Sequence, residues 1–121
     1  MVTLDKLGKL VIGAIRDAPL RHFDWLLSGH DKSDSAKKIR SDLGDLNPIQ
    51  ASALRGAVAA CLDDALHEFL KKLQEAHDFK EGVELIIDGS NAAEKSSELN
   101  AELFGNNGWI ARFSKYPPSD L

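Results

Sequence analysis

Cysteine and long apolar runs are the two features that this sequence most clearly lacks. Its one cysteine, Cys61, can form no internal disulfide, which agrees with a reducing compartment. No apolar run approaches the roughly 20 residues that cross a bilayer. The only segment that resembles the core of a signal peptide, residues 10–15, is short, is interrupted by Gly13 and is followed at once by Arg16 and Asp17. We therefore expect a cytoplasmic protein without a membrane partner.

The chain also lacks the motifs of common catalytic and cofactor sites. Its nine glycines form no phosphate-binding loop, and no HExxH pattern is present. His67 follows Asp63 and Asp64 by four and three residues, a spacing that suits a metal site or a general base but is more typical of ion pairs on a helix surface. Ser28 and His30 have no identifiable orienting group. We expect a protein that is not an enzyme, with no catalytic residue, metal or cofactor.

The negative net charge is mild, but the charges are unevenly distributed along the chain. The net charge is −4; residues 1–60 carry nine Lys and Arg against seven Asp and Glu, whereas residues 61–121 carry six against twelve. The basic residues Lys37, Lys38 and Arg40 are typical of a solvated helix face. In a helix-turn-helix protein, the helix that follows them would be the recognition helix. This helix, which begins near Pro48, becomes acidic along its length and would repel phosphate, so we expect no nucleic-acid partner. The acidic second half favours a basic partner, although acidic surfaces also serve solubility.

The strongest positive signal is one long amphipathic helix over residues 47–77. Asn47 suits the N-cap, Pro48 the first helical position and Gln50 the capping-box partner. Apolar residues then recur mostly at steps of three and four and form one wide stripe: Leu54, Val58, Cys61, Leu62, Ala65, Leu66, Phe69, Leu70, Leu73 and Ala76. We expect this stripe to be buried, with Cys61 as a small buried hydrophobe.

Shorter helices precede the long one. Apolar periodicity predicts three of them, over residues 3–17, 20–28 and 35–43. The first should stop before Pro19, because the residue that precedes a proline is disfavoured in the helical conformation. Gly8 and Gly13 weaken this helix unless they mark close approach to a neighbouring helix.

A small β element is predicted after the long helix. Residues 83–87 are short, apolar and partly β-branched, and the Asp-Gly pair at 88–89 is typical of a hairpin turn. This pattern predicts a hairpin that pairs residues 83–87 with 90–94. The alternative is a helix that begins at Asn91, with Glu94 as its capping-box partner.

Helices over residues 97–104 and 109–116 complete the predicted elements. If the first of them extends back to residue 91, then Glu94, Glu98 and Glu102 stand four residues apart and form one acidic ridge. Like charges at this spacing cost about a few tenths of a kcal/mol each, and Glu102 opposes the helix dipole. An arrangement that costs stability indicates a binding surface, while the alternative is an ordinary solvated face. With a hairpin instead, the ridge shrinks to Glu98 and Glu102.

Three further residues are candidates for contact with a partner. Asp64 and Glu68 stand on the long helix and add to the acidic charge of the second half. Trp109 is a candidate because aromatic residues often dominate interfaces, although a buried Trp in the last helix is the structural alternative. The predicted partner-binding residues are therefore Asp64, Glu68, Glu94, Glu98, Glu102 and Trp109.

Four short strings in the second half resemble small bacterial immunity proteins. They are FLKKLQE at 69–75, IIDG at 86–89, ELFG at 102–105 and GWIARFSK at 108–115. Such proteins accompany polymorphic toxins, including the toxins of contact-dependent growth inhibition. The resemblance implies a cytoplasmic protein that binds one toxin domain and occludes its active site. Many of these toxins are nucleases with basic clefts, which the acidic second half suits.

The sequence as a whole predicts a single domain over residues 1–121 of the mainly α (α+β) class. A small helical domain surrounds one long central helix and carries a small β-hairpin. The predicted function is that of an immunity protein that neutralises a cognate toxin domain of the nuclease class. The alternative is a non-enzymatic structural or regulatory interaction protein that has no toxin partner.

Overall fold

The structure is a computed structural model that describes residues 3–118, and helices dominate it. In chain order they are α1 (Thr3–Val11), α2 (Ala18–Ser28), α3 (Asp34–Leu43), α4 (Pro48–Asp78) and α5 (Trp109–Phe113). Two short strands, β1 (Ile86–Ile87) and β2 (Ser90–Asn91), form one antiparallel hairpin. The predicted fold class, mainly α with a long central helix and a small hairpin, is confirmed.

The central helix α4 begins as its sequence predicts. The side chain of Asn47 accepts a hydrogen bond from the Gln50 backbone N–H, and the Gln50 side chain accepts one from the Asn47 N–H. This capping box, with Pro48 at the first position, satisfies backbone donors that would otherwise lack partners. The helix contains 31 residues, so it is about 46 Å long at roughly 1.5 Å per residue.

The predicted break before Pro19 is wrong, because the chain stays helical from α1 to α2. The joining segment, Ile12–Asp17, is a π-helix whose last turn is closed by a hydrogen bond from the Ala18 N–H to the Gly13 carbonyl. Pro19 lacks an N–H and would leave a carbonyl of a regular α-helix without a donor. The wider π turn directly before it changes the hydrogen-bond register at that point.

The hydrophobic core lies where α1 and the π segment meet the second half of α4 and the chain after it. Its buried members are Leu7, Val11, Ile12, Leu66, Leu70, Leu73, Ala92, Ala93, Leu99, Leu103, Trp109 and Ile110. At Gly8 a neighbouring element approaches closely, which is one of the two explanations that the sequence offered for this glycine. A Cβ atom there would lie 2.7 Å from the indole ring of Trp109. Gly13 marks no close approach, since a Cβ atom there would meet open space.

The buried side of α4 is narrower than predicted and displaced. Leu66 and Leu70 are fully buried, but Phe69 is 46% exposed and Cys61 is exposed, so their predicted burial is wrong. Gln74, a polar residue outside the predicted stripe, is buried instead. Its side chain donates to the Ala93 carbonyl and accepts from the Leu99 N–H. These two bonds hold the chain after the hairpin on the Gln74 side of the helix, away from Phe69.

The hairpin is shorter than the predicted pairing of 83–87 with 90–94. Asp88 and Gly89 both have positive φ, 52° and 79°, as a type I′ turn requires. Pairing ends at Asn91, because its side chain accepts a hydrogen bond from the Ala93 N–H and begins a 3₁₀ turn, Ala92–Lys95. The alternative helix from Asn91 is therefore present only as this single turn.

The last two predicted helices are also shorter in the structure. Between residues 97 and 104 only a 3₁₀ turn forms, Leu99–Glu102, so the predicted helix there is wrong. The final helix is confirmed over Trp109–Phe113 but ends before residue 116. After this helix, Asp17 of the π segment accepts hydrogen bonds from the Ser114 hydroxyl (2.6 Å) and the Lys115 N–H (2.8 Å). These bonds hold the extended residues 114–115 against the π segment.

Candidate partner-binding surface

The three glutamates of the predicted ridge do not lie on one helix. Glu94 is exposed in the first 3₁₀ turn, and Glu98 is exposed just before the second. Glu102 is partly buried and accepts a hydrogen bond of 2.9 Å from the Ser96 hydroxyl. The regular four-residue spacing is lost because the backbone leaves the helical conformation at Ser96, which is extended. The acidic ridge as predicted is therefore wrong.

Trp109 belongs to the core. Its side chain is completely buried, and its indole ring packs against the backbone at Gly8. Burial was the structural alternative for this residue, and it is the one observed. Trp109 is consequently not available as an exposed anchor for a partner.

Three of the six predicted residues share one region of the surface. Asp64 and Glu68 are exposed one turn apart on α4, so their side chains are neighbours. Glu98 borders a cleft of about 210 Å³ that is also lined by Lys71 and Asn100. We call Asp64, Glu68 and Glu98, together with the adjoining His67, Asn100 and Phe104, the acidic face.

His67 connects the parts of the acidic face. Its Nε2 lies 3.3 Å from the Asn100 side-chain amide, and its Nδ1 lies 3.7 Å from the Glu68 carboxylate. The predicted ion pairs of His67 with Asp63 and Asp64 are not observed. Asp63 instead accepts a 2.7 Å hydrogen bond from the guanidinium of Arg16, which the sequence pattern did not indicate.

Phe104 is the residue of this surface that sequence reasoning missed. Its ring is 50% exposed, and its centroid lies 6.2 Å from that of His67. No sequence pattern marked it, because the exposure of Phe104 beside the buried Leu103 follows from a segment that is not the predicted helix. An exposed aromatic ring beside carboxylates suits contact with another protein.

Glu94 lies in a different place, beside the hairpin. It lines a cleft of about 340 Å³ together with Glu84, Lys80 and His77. His77 is held there by contact of its Nδ1 with the Asn91 side chain at 3.4 Å. This cleft, which we call the hairpin cleft, places two carboxylates next to the short sheet.

The basic first half of the chain presents another aromatic surface. Trp25 on α2 is 46% exposed, the guanidinium of Arg21 lies 5.6 Å from its ring centroid, and the His30 ring lies 6.3 Å away. The turn that carries His30 is fixed by Arg40, whose guanidinium donates to the Leu26 and Asp31 carbonyls. None of the predicted partner-binding residues lies here.

Within residues 3–118, no group of three or more His, Cys, Asp or Glu is arranged to hold a metal ion. No helix in the same part of the chain has both the length and the apolar character needed to cross a membrane. The chain matches no protein-family model, no curated protein and no solved structure. The chemistry of its surface and the resemblance of the strings between residues 69 and 115 are therefore the basis for a proposed function.

Proposed function

We propose that this protein is a bacterial immunity protein of a polymorphic toxin system. In this proposal it acts in the cytoplasm, is not an enzyme, and binds one basic toxin domain of the nuclease class so that the active site of the toxin is covered. The observation that carries the proposal is the acidic face, where exposed carboxylates adjoin a half-exposed phenylalanine.

The charges of the acidic face suit a nuclease. An enzyme that cleaves nucleic acid must hold phosphates, so its cleft carries positive potential. Asp64, Glu68 and Glu98 offer carboxylates to the same cations, and a partner with this charge associates faster because the encounter is steered electrostatically. Steering matters for an immunity protein, because the toxin has to be captured before it reaches its substrate.

Phe104 contributes binding affinity, whereas the carboxylates mainly contribute to the rate of association. Exposed ion pairs add little net affinity, typically about 0–1 kcal/mol each. An aromatic side chain that enters a pocket of the partner and loses its contact with water contributes much more. The ring of Phe104 lies beside that of His67, with 6.2 Å between the centroids, so the two rings offer one aromatic surface to a partner.

The proposal predicts a toxin gene adjacent to this one, and the test is to measure association with the toxin domain which that gene would encode. The variant Glu68→Lys/Glu98→Lys should associate at least about tenfold more slowly at low salt, and the difference should shrink as salt rises. The matched control is Asp34→Lys/Asp45→Lys, which makes the same charge change at exposed positions of the first half. Equal slowing by both pairs would show only a net-charge effect, and failure of the unmodified protein to bind would contradict the proposed function.

A further inference from the structure

The end of α4 places the next segment of the chain on the surface. The Glu81 N–H donates to the Ala76 carbonyl (2.9 Å) and the Lys80 N–H donates to the His77 carbonyl (3.2 Å), the two bonds of a Schellman motif. Lys80 has the positive φ of 53° that this motif requires, and Gly82 follows with φ of 84°. The chain reverses here and continues as residues 83–87.

Only one edge of this segment is paired. Ile86 is opposite Asn91, Ile87 is opposite Ser90, and the Leu85 carbonyl accepts from the Ala92 N–H. The Leu85 bond continues the pairing beyond β1. Because backbone groups alternate in direction along an extended segment, those of Ile86 and, in the same register, of Glu84 point away from β2. Among the described residues, no backbone hydrogen bond outside regular elements involves Val83 or Glu84. The outer edge of β1 is therefore open.

The open edge is apolar and exposed. Val83 is 57% exposed and Ile86 is 53% exposed, and both are β-branched residues that favour extended backbone. An exposed strand edge with such side chains is a template on which another chain can add a strand. Main-chain hydrogen bonds provide the affinity in this mode of recognition, and side-chain pockets beside the edge provide the specificity.

The charges near the edge determine which strand can pair with it. Glu81 and Glu84 are exposed on this segment, and Glu84 also lines the hairpin cleft together with Glu94. A second copy of this chain would bring the same carboxylates against one another, which is unfavourable. Lys80 also lines the cleft, but the two carboxylates outnumber it. A strand that carries Lys or Arg would therefore place a cation beside Glu84 and Glu94.

We propose that the toxin domain binds by adding an extended, basic segment to the open edge of β1. One Lys or Arg side chain of that segment occupies the hairpin cleft, and its apolar side chains cover Val83 and Ile86. This inference rests on the proposed function, because the partner is the same toxin domain. It assigns a role to Glu94, which lies outside the acidic face.

Hydrogen exchange on the unmodified protein tests the inference directly. The amides of Glu84 and Ile86 should exchange at least about tenfold more slowly in the complex with the neighbouring toxin domain, because each gains a main-chain hydrogen bond. Unchanged exchange at both amides while the toxin is bound would overturn the added strand and leave the proposed function intact. A wild-type protein that does not bind the toxin would overturn both. Slow exchange at both amides in a dimer of the free protein would identify a second copy as the occupant and also contradict the inference.

A proline variant provides the second test. Glu84→Pro removes the outward N–H and should weaken toxin binding at least about tenfold, because the added strand loses a hydrogen bond and the cleft loses a carboxylate. Glu84→Gln is the matched control; it keeps the N–H, so its loss should be smaller than that of the proline variant. Equal affinities for the proline variant and the unmodified protein would contradict the added strand.

Discussion

The indole ring of Trp109 packs directly against the backbone of Gly8, so that a Cβ atom on residue 8 would lie 2.7 Å from the ring carbons Cγ and Cδ1. The contact joins the first helix of the chain to the last one. It accounts for a glycine in α1, where glycine costs about 1 kcal/mol relative to alanine. Trp109 is completely buried at this contact, and the neighbouring Leu7 and Ile110 are core residues.

Gly8→Ala is therefore expected to destabilise the protein although alanine favours helix. The methyl group forces the indole or α1 to move, at a cost of about 1–3 kcal/mol. The matched control is Gly13→Ala in the following π segment, where a Cβ atom meets nothing within 4 Å. Urea denaturation followed by Trp fluorescence measures both variants. If they have equal stability, the packing of Trp109 on Gly8 is wrong.

The two neighbouring apolar positions Leu66 and Phe69 should respond very differently to truncation. Leu66 is completely buried, so Leu66→Ala should cost about 2–5 kcal/mol. Phe69 is 46% exposed, so Phe69→Ala should cost no more than about 1 kcal/mol. Chemical denaturation of the two variants under one set of conditions measures the difference. A larger loss of stability for Phe69→Ala than for Leu66→Ala would show that Phe69 is buried, as the sequence predicts, and would contradict the structure.

The ion pair of Arg16 with Asp63 should appear as coupling between the two residues. Arg16 is completely buried, and its Nε lies 2.7 Å from the Asp63 carboxylate, which is 24% exposed. Asp63→Leu leaves a buried cation without its counter-ion, so we expect a loss of about 3 kcal/mol. Arg16 also donates to the Ser114 hydroxyl and the Tyr116 carbonyl, so Arg16→Met/Asp63→Leu should lose less than the sum of the two single losses. Urea denaturation of the three variants measures the coupling, and additive losses would contradict the ion pair.

Stability should depend on Asp31 at low pH. The hydrogen bond from His22 and the backbone N–H of Ser33 lower the pKa of Asp31 from 3.8 to about 2. Because the carboxylate is favoured in the folded state, its stabilisation is complete above pH 3.8 and is lost as pH falls through about 2. Asp31→Asn should therefore be less stable than the unmodified protein by about the same amount at pH 5 and at pH 6. The difference between the two proteins should shrink as pH falls and vanish below the folded-state pKa of about 2. A difference that is independent of pH would exclude this carboxylate as the cause.

The elements that the sequence predicts correctly are those specified by local signals. The start of α4 depends on Asn47, Pro48 and Gln50, which lie within one turn and bond to one another. The type I′ turn depends on the adjacent residues Asp88 and Gly89. Such features need no knowledge of the rest of the chain, so they can be predicted from a short stretch of sequence.

The burial pattern of α4, by contrast, depends on contacts between distant residues. The Leu99 N–H is bound by the side chain of Gln74, and no local pattern indicates that this polar residue is buried. Gln74 thus adds its own side of α4 to the buried surface, whereas Phe69 is 46% exposed. The acidic ridge is absent because the backbone is extended at Ser96. The acidic face that replaces it combines residues of α4 with Glu98 and Phe104 from a segment predicted as helix.

Neutralisation of the neighbouring toxin domain tests the central claim most directly. The claim predicts a toxin gene adjacent to this one, and the toxin domain which that gene would encode is assayed for nuclease activity while this protein is added in increasing amounts. An immunity protein that covers the active site should abolish the nuclease activity at a molar ratio of about one to one. This stoichiometry is expected because the dissociation constants of cognate toxin and immunity pairs lie far below the protein concentrations of such an assay. Phe104→Ala combined with Glu68→Lys should require a large excess. Undiminished nuclease activity with the unmodified protein in excess would contradict the claim.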